Sequence, residues 1–190
     1  MSLSQFQTVG RDLFTSGMIC GTNGNLSIRM GSRMIITRRS SNLANLQEQD
    51  LIETGIFKND RFSPIASSES PVHKAIYKRT TASAIVHAHP PHAVAISLTE
   101  NEIIPSDDEG KSTMGRVPII GSCGSAVVPG NFADDIALAL QSERIVMVRG
   151  HGSFAIGQIL EEAYEITAAF EESCKILCLL KSLQAKPVEE

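Results

Sequence analysis

Three of the chain's five histidines fall within the six residues His87 to His92, in the stretch SAIVHAHPPHAVAIS (83–97). What they can do depends on how the backbone presents them. The apolar run 84–88 reads as a buried β-strand, and alternate side chains of a strand share a face, so His87 and His89 project together while Ala88 points away. Two neutral imidazoles at that spacing can hold one metal ion. Catalytic zinc takes three protein ligands and keeps a position open for water or substrate, so a third ligand must come from elsewhere in the chain. Pro90 and Pro91 turn the backbone before His92, whereas His151 stands in RGHGS at the end of a second apolar run, where flanking glycines permit close backbone approach. The glycine frame favours His151, with His92 as the alternative.

Other segments offer proton transfer and anion binding. In ASSESPVHK (66–74), Ser67 or Ser68 can cap a helix whose early Pro71 suits its first turn. Glu69 then lies near the helix start, where a carboxylate complements the macrodipole, and the serines and backbone N–H groups converge as an anion site. The loop Thr22 to Asn25 (TNGN) has similar donors, although a Gly/Asn-rich turn is by itself an ordinary loop. Cys20, Cys123, Cys174 and Cys178 form no C-x-x-C pair; Cys174 and Cys178, four apart in a helical pattern, read as small core residues in the reduced state.

These groups need a frame. Apolar spacing predicts an N-terminal helix over 4–18, stopped near Gly17. Strands over Leu26–Met30 and Arg33–Thr37 are joined by a hairpin at Gly31-Ser32, followed by a helical turn and a strand in NLANLQEQDLIETGI, then a hairpin turn at FKNDRF (57–62). Further on come the helix at 69–79, the strand at 84–88, a short helix from His92 to Leu98, a strand in MGRVPIIG, a helix in NFADDIALALQS, two strands around His151 and a long amphipathic helix from Ile159 to Leu183. Hairpin-linked strands interspersed with helices predict an α/β fold with a largely antiparallel sheet, helices packed on its faces, and a single domain over 1–190.

Composition narrows the classes. With 190 residues, 42% apolar and 20% charged, the chain has the makeup of a soluble globular domain. A net charge of -4, no basic tract and no Trp give no footprint for nucleic acid. Apolar runs fall below the roughly 18 residues a bilayer requires, and Met1-Ser2-Leu3 does not open a signal peptide, so a cytoplasmic location without membrane partners is expected.

The ordered set GTNGNLSIR, MIIT, SSES, VHAHPPH and RGHG, over residues 5 to 182, resembles the class II aldolase/adducin family, in its L-fuculose-1-phosphate aldolase branch. The resemblance implies a three-layer αβα fold with a largely antiparallel central sheet, and a homotetramer with active sites at subunit interfaces. It puts His87, His89 and His151 on zinc-ligand positions, Glu69 on the catalytic acid/base position, and Gly24, Asn25, Ser67 and Ser68 on positions that hold a sugar phosphate. A glutamate there, where the 4-epimerases usually carry aspartate, points to an aldolase or a dehydratase. Two features depart from the pattern. After MIIT the chain reads Arg38-Arg39-Ser40-Ser41 in place of Pro-Thr-Gly, which makes Arg39 and Ser40 candidate phosphate partners. The only tyrosines, Tyr77 and Tyr164, do not match the family's catalytic tyrosines; Asp108 or Glu109 in PSDDEGKSTMG is the candidate substitute, and a solvated acidic loop the plainer reading. The implied activity is zinc-dependent cleavage of a ketose 1-phosphate, with a dehydratase or 4-epimerase and a non-catalytic adducin-like interaction domain as alternatives.

Overall fold

A computed structural model describes residues 3–121 and 132–183. Among these residues the helices are α1 (Leu3–Thr15), α2 (Ser70–Arg79), α3 (Pro91–Ser97), α4 (Asp108–Thr113), α5 (Phe132–Ala139) and α6 (Leu160–Ser182). The strands are β1 (Asn25–Met30), β2 (Arg33–Thr37), β3 (Leu51–Gly55), β4 (Ala84–Ala88), β5 (Glu102–Ile103), β6 (Val117–Ile120), β7 (Ile145–Val148) and β8 (Gly152–Gly157). They form one sheet in the order β3-β2-β1-β4-β8-β7-β6-β5, antiparallel throughout except where β6 runs parallel to β7. Cys123 lies outside the described residues.

Strand alternation divides the core into two clusters, one on each face. Leu26, Ile28, Ala84, Val86, Ala88, Ile145 and Met147 point to the face covered by α1, α3 and α6, where Phe6, Leu13, Ile166 and Phe170 are buried. Met34, Ile36, Ile85, Val146 and Phe154 point to the opposite face, under Ile76 and Tyr77 of α2 and Ile136 of α5. Helices therefore cover both sides of a largely antiparallel sheet, and the expected αβα layering holds. Cys174 is buried in the first cluster, with Cys178 packed against it. The central strand β4 is buried at all five positions, between β1 and β8, so the residue it presents on the α2 face near its end, His87, is surrounded by ordered structure.

Three local expectations change. FKNDRF is not a hairpin turn: the Asp60 carboxylate accepts hydrogen bonds from Thr54, Gly55 N, Phe62 N and Arg33, gathering the chain into a tight knot. A 3-10 turn at Ser63–Ile65 follows, and then only a single bridge between Arg38 and Ala66. The acidic segment 106–113 is a short helix rather than a loop, because Asp107 caps it by accepting from Gly110 N at 2.8 Å. Helix α2 begins at Ser70, with Glu69 itself in the cap position; the Ser67 hydroxyl accepts from Glu69 N at 3.2 Å, which leaves the Glu69 carboxylate free of the helix end.

On the α2 face, a polar group sits inside the apolar cluster. Ser27 Oγ lies 2.6 Å from His73 Nδ1 and 2.7 Å from Tyr77 Oη, all three side chains fully or almost fully buried. Burial pushes the His73 pKa from 6.5 down to about 4, so between those values the unfolded chain binds a proton that the folded chain excludes. The stability contributed here is complete above pH 6.5 and is lost as the pH falls toward 4. Urea unfolding of metal-free protein should lose up to about 3 kcal/mol across that window through His73, and His73→Gln should show a shallower pH slope. Equal slopes in the two proteins would assign the acid sensitivity to other groups.

Candidate metal centre and anion cleft

The cleft opens at the end of the sheet where β4 and β7 finish and β1 and β8 start. His87, on β4, faces Asn25 of β1 and Phe154 of β8 across the ladder. Its Nδ1–H donates to the Ser153 carbonyl oxygen at 2.9 Å, which leaves Nε2 with its lone pair outward. The Phe154 ring stacks on it with centroids 4.2 Å apart, fixing the ring plane. His89, one residue past β4, is anchored by its own N–H on the Met18 carbonyl oxygen at 2.8 Å. Its Nε2 lies 3.0 Å from His87 Nε2, while its Nδ1 lies 3.4 Å from the side-chain nitrogen of Asn23.

His151 occupies the turn between β7 and β8, its N–H bonded to the Val148 carbonyl oxygen at 3.0 Å. Its ring lies parallel to that of His87, with centroids 5.1 Å apart, and 4.7 Å from that of His89. One ring nitrogen from each of the three histidines lies within 4.8 Å of the others. Three nitrogens at zinc-ligand distances of about 2.0–2.1 Å would stand roughly 3.3–3.4 Å apart, so this group fits a divalent cation after a modest contraction, for which the 43% exposed His151 has room. Burial drives the His87 pKa well below 6.5 and that of His89 to about 4, so both stay neutral and able to ligate at ordinary pH.

The backbone makes way for these rings. A Cβ at Gly152 would strike the Ala88 carbonyl oxygen and stand 2.8 Å from His89 Cδ2 and 3.0 Å from His87 Cε1. On the other side, Gly24 has φ +75°, and a Cβ there would stand 3.0 Å from the His87 carbonyl oxygen.

The Glu69 carboxylate closes the group, with Oε1 3.6 Å from His151 Nε2. The neighbouring His151 imidazole holds its carboxyl down at about 2, against the opposing effect of burial, so Glu69 rests ionised. All ten site residues expected from the sequence, namely Gly24, Asn25, Arg39, Ser40, Ser67, Ser68, Glu69, His87, His89 and His151, line one cleft of about 210 Å³. Thr22, Asn23 and Arg38 complete it. Asn25 is buried with its Oδ1 lacking a partner among the described residues, and Ser40 is held at φ +61°, a left-handed conformation that costs a non-glycine residue about 1 kcal/mol or more.

His92 does not join the group: its Nδ1 lies 2.7 Å from Glu171 Oε1, and Glu171 also accepts from the first N–H groups of α3. Asp108 and Glu109 are exposed on α4 and are not among the residues lining the cleft. Sequence reasoning missed the ring-fixing contacts of Ser153, Phe154 and Asn23. Phe154 alternates with the glycine two residues before it, but its contact with His87 follows only from the β4–β8 register.

A fold of this layering with a three-histidine group and an adjoining carboxylate defines a class, and the class can be named. The class II aldolase and adducin N-terminal domain family matches residues 4–178, and the chain belongs to that family. Within it, the L-fuculose-1-phosphate aldolase of Thermus thermophilus superposes with a TM-score of 0.88 at 36% identity, covering 98% of this chain and 97% of that one. The L-fuculose phosphate aldolase of Methanocaldococcus jannaschii is 27% identical over 180 residues, 94% of this chain and 97% of that protein. The 3-oxo-tetronate 4-phosphate decarboxylase of Haemophilus influenzae is 26% identical over 182 residues, 91% of this chain and 85% of that protein.

The glycine cradle gives a direct test. Gly152→Ala should displace the His87 and His89 rings and lower zinc affinity by about 10- to 100-fold, the usual effect of disturbing the support of a ligand, as read by competition with a chromophoric chelator. Unchanged affinity in a folded variant would show that these rings do not set metal binding.

Proposed function

We propose that the chain, acting as one domain over residues 1–190, is a zinc-dependent class II aldolase. It cleaves a ketose 1-phosphate of the fuculose 1-phosphate kind to dihydroxyacetone phosphate and a small aldehyde. The observation that carries this reading is the single cleft that holds three imidazoles, an ionised glutamate and a row of anion-binding groups. His87, His89 and His151 would hold the ion, which when bound supplies Lewis-acid polarisation of the substrate carbonyl.

The rest is work for this chain's own residues. Gly24, Asn25, Ser67 and Ser68, with Arg39 and Ser40 standing in for the usual Pro-Thr-Gly segment, bind the phosphate and so fix which carbons lie beside Glu69. Breaking the carbon-carbon bond turns a hydroxyl into the aldehyde carbonyl and leaves an electron pair on the carbon retained with the phosphate. One proton is released and one is needed. A carboxylate that starts ionised can accept the first and deliver the second, which is the acid/base part assigned to Glu69.

The decarboxylase relative and the two guanidinium groups of Arg38 and Arg39 in the cleft, partnerless among the described residues, favour a second reading, a decarboxylase acting on a sugar-acid phosphate, alongside a dehydratase or 4-epimerase on the same scaffold. A guanidinium pairs well with a carboxylate. The complete histidine set speaks against a non-catalytic adducin-like domain. The reading carries with it a cytoplasmic homotetramer. Among the described residues no helix is long and apolar enough to cross a membrane.

Zinc-loaded protein should release aldehyde from at least one member of a panel of ketose 1-phosphates, with dihydroxyacetone phosphate as the coproduct. Glu69→Gln should lower turnover by about 10²- to 10⁴-fold with zinc content unchanged. Carbon dioxide or a dehydrated product in place of aldehyde would transfer the assignment to the second reading, and full activity of Glu69→Gln would remove the glutamate from the mechanism.

A further inference from the structure

Beside the cleft, and sharing Arg39, Ser67 and Ser68 with it, lies a larger cavity of about 470 Å³ whose other lining residues have no part in the proposed chemistry. Its lining is cationic: Arg39, Lys74 and Lys78 stand against one carboxylate, Asp60. That carboxylate is already occupied by Arg33, Thr54 and the N–H groups of Gly55 and Phe62. Lys74 is only 6% exposed, yet its ammonium bonds to a neutral acceptor, Asn59 Oδ1 at 2.7 Å, and to no carboxylate among the described residues. Neither the Lys78 ammonium nor the Arg39 guanidinium has a hydrogen bond or ion pair among the described residues.

A buried cation without a bonded counter-ion is costly, and an apolar side chain of similar length would fill the same place on α2 at less cost. Burial pulls the Lys74 pKa down; the attraction of Asp60, larger than the repulsion of Lys78, offsets this only in part. The hydrogen bond to Asn59 ties the 59–64 segment to α2 but leaves the ammonium without a bonded counter-ion, which a bound anion would supply.

We propose that this cavity is a second oxyanion site, distinct from the catalytic cleft, which takes a phosphate-class dianion on Lys74 and Lys78, with Arg39 on the shared wall. The dianion is either a free phosphate or a second anionic group of a substrate whose first phosphate occupies the neighbouring cleft. Lys74 and Lys78 belong to this site alone, and it does not require the aldol reaction.

The test is calorimetric titration of the full, zinc-loaded chain with inorganic phosphate and with pyrophosphate, in wild type, Lys74→Met, Lys78→Met and Asn25→Ala, the last altering the catalytic cleft alone. Lys74→Met and Lys78→Met should each weaken one phosphate-binding event by about 10- to 100-fold, the scale of a lost hydrogen bond to a charged group, and Asn25→Ala should leave that event intact. A free-anion site binds phosphate as well as it binds pyrophosphate. A substrate-borne one binds pyrophosphate at least about tenfold more tightly, with the advantage lost in Lys74→Met. If Lys74→Met does not fold, exposed Lys78 decides. Binding of both anions as in wild type by the folded lysine variants would overturn the site. Loss of binding only in Asn25→Ala would overturn it too, while supporting the phosphate pocket of the catalytic reading. Binding lost only in the lysine variants would uphold the second site and count against that pocket.

Discussion

An imidazole at 1% exposure in the middle of an eight-stranded sheet must have its ring N–H satisfied and its plane held, and the placement of His87 organises the rest of the site. Its strand is buried on both faces and paired on both edges, so a slip of one residue would exchange His87 for Ala88 on the α2 face. The β8 register supplies the Ser153 carbonyl oxygen that accepts a hydrogen bond from its Nδ1–H and the Phe154 ring that holds its plane. The β1 register brings Asn25 and Gly24 alongside, and the β7–β8 turn returns His151 over its ring. One strand register thus fixes which nitrogen His87 turns to the cleft, its tautomer and two walls of that cleft.

The electrostatics follow from that placement. Burial keeps His87 and His89 neutral, so those two rings add no positive charge, and the ionised Glu69 nearby suits the group to a cation. The same cleft lining carries Arg38, Arg39 and three serines, groups that suit an anion. Gly24 and Ser40, both at positive φ, line the cleft.

Much of the fold was legible in the sequence because its signals are local. The apolar run Ala84–Ala88, the hairpin at Gly31-Ser32 and the long stripe of α6 each carry their period in a short window. The juxtaposition of His87 with His89 was legible for the same reason, and that of His151 through its glycine frame. FKNDRF was misread because Asp60 draws donors from Arg33 and Thr54, partners no turn rule includes. The helix at Asp108–Thr113 hid behind its polarity, its only signal being the cap at Asp107. The cationic cavity was illegible, since Lys74 reads as an ordinary exposed helix residue until the chain from Asn59 to Pro64 is seen to cover it.

The central claim is that three histidines from two strand ends form one metal centre. X-ray absorption at the zinc edge of the zinc-loaded chain tests it most directly. The account predicts one ion per chain with three imidazole nitrogens at about 2.0–2.1 Å and no sulfur. Fewer than three imidazoles, or a sulfur shell at about 2.3 Å, would contradict it.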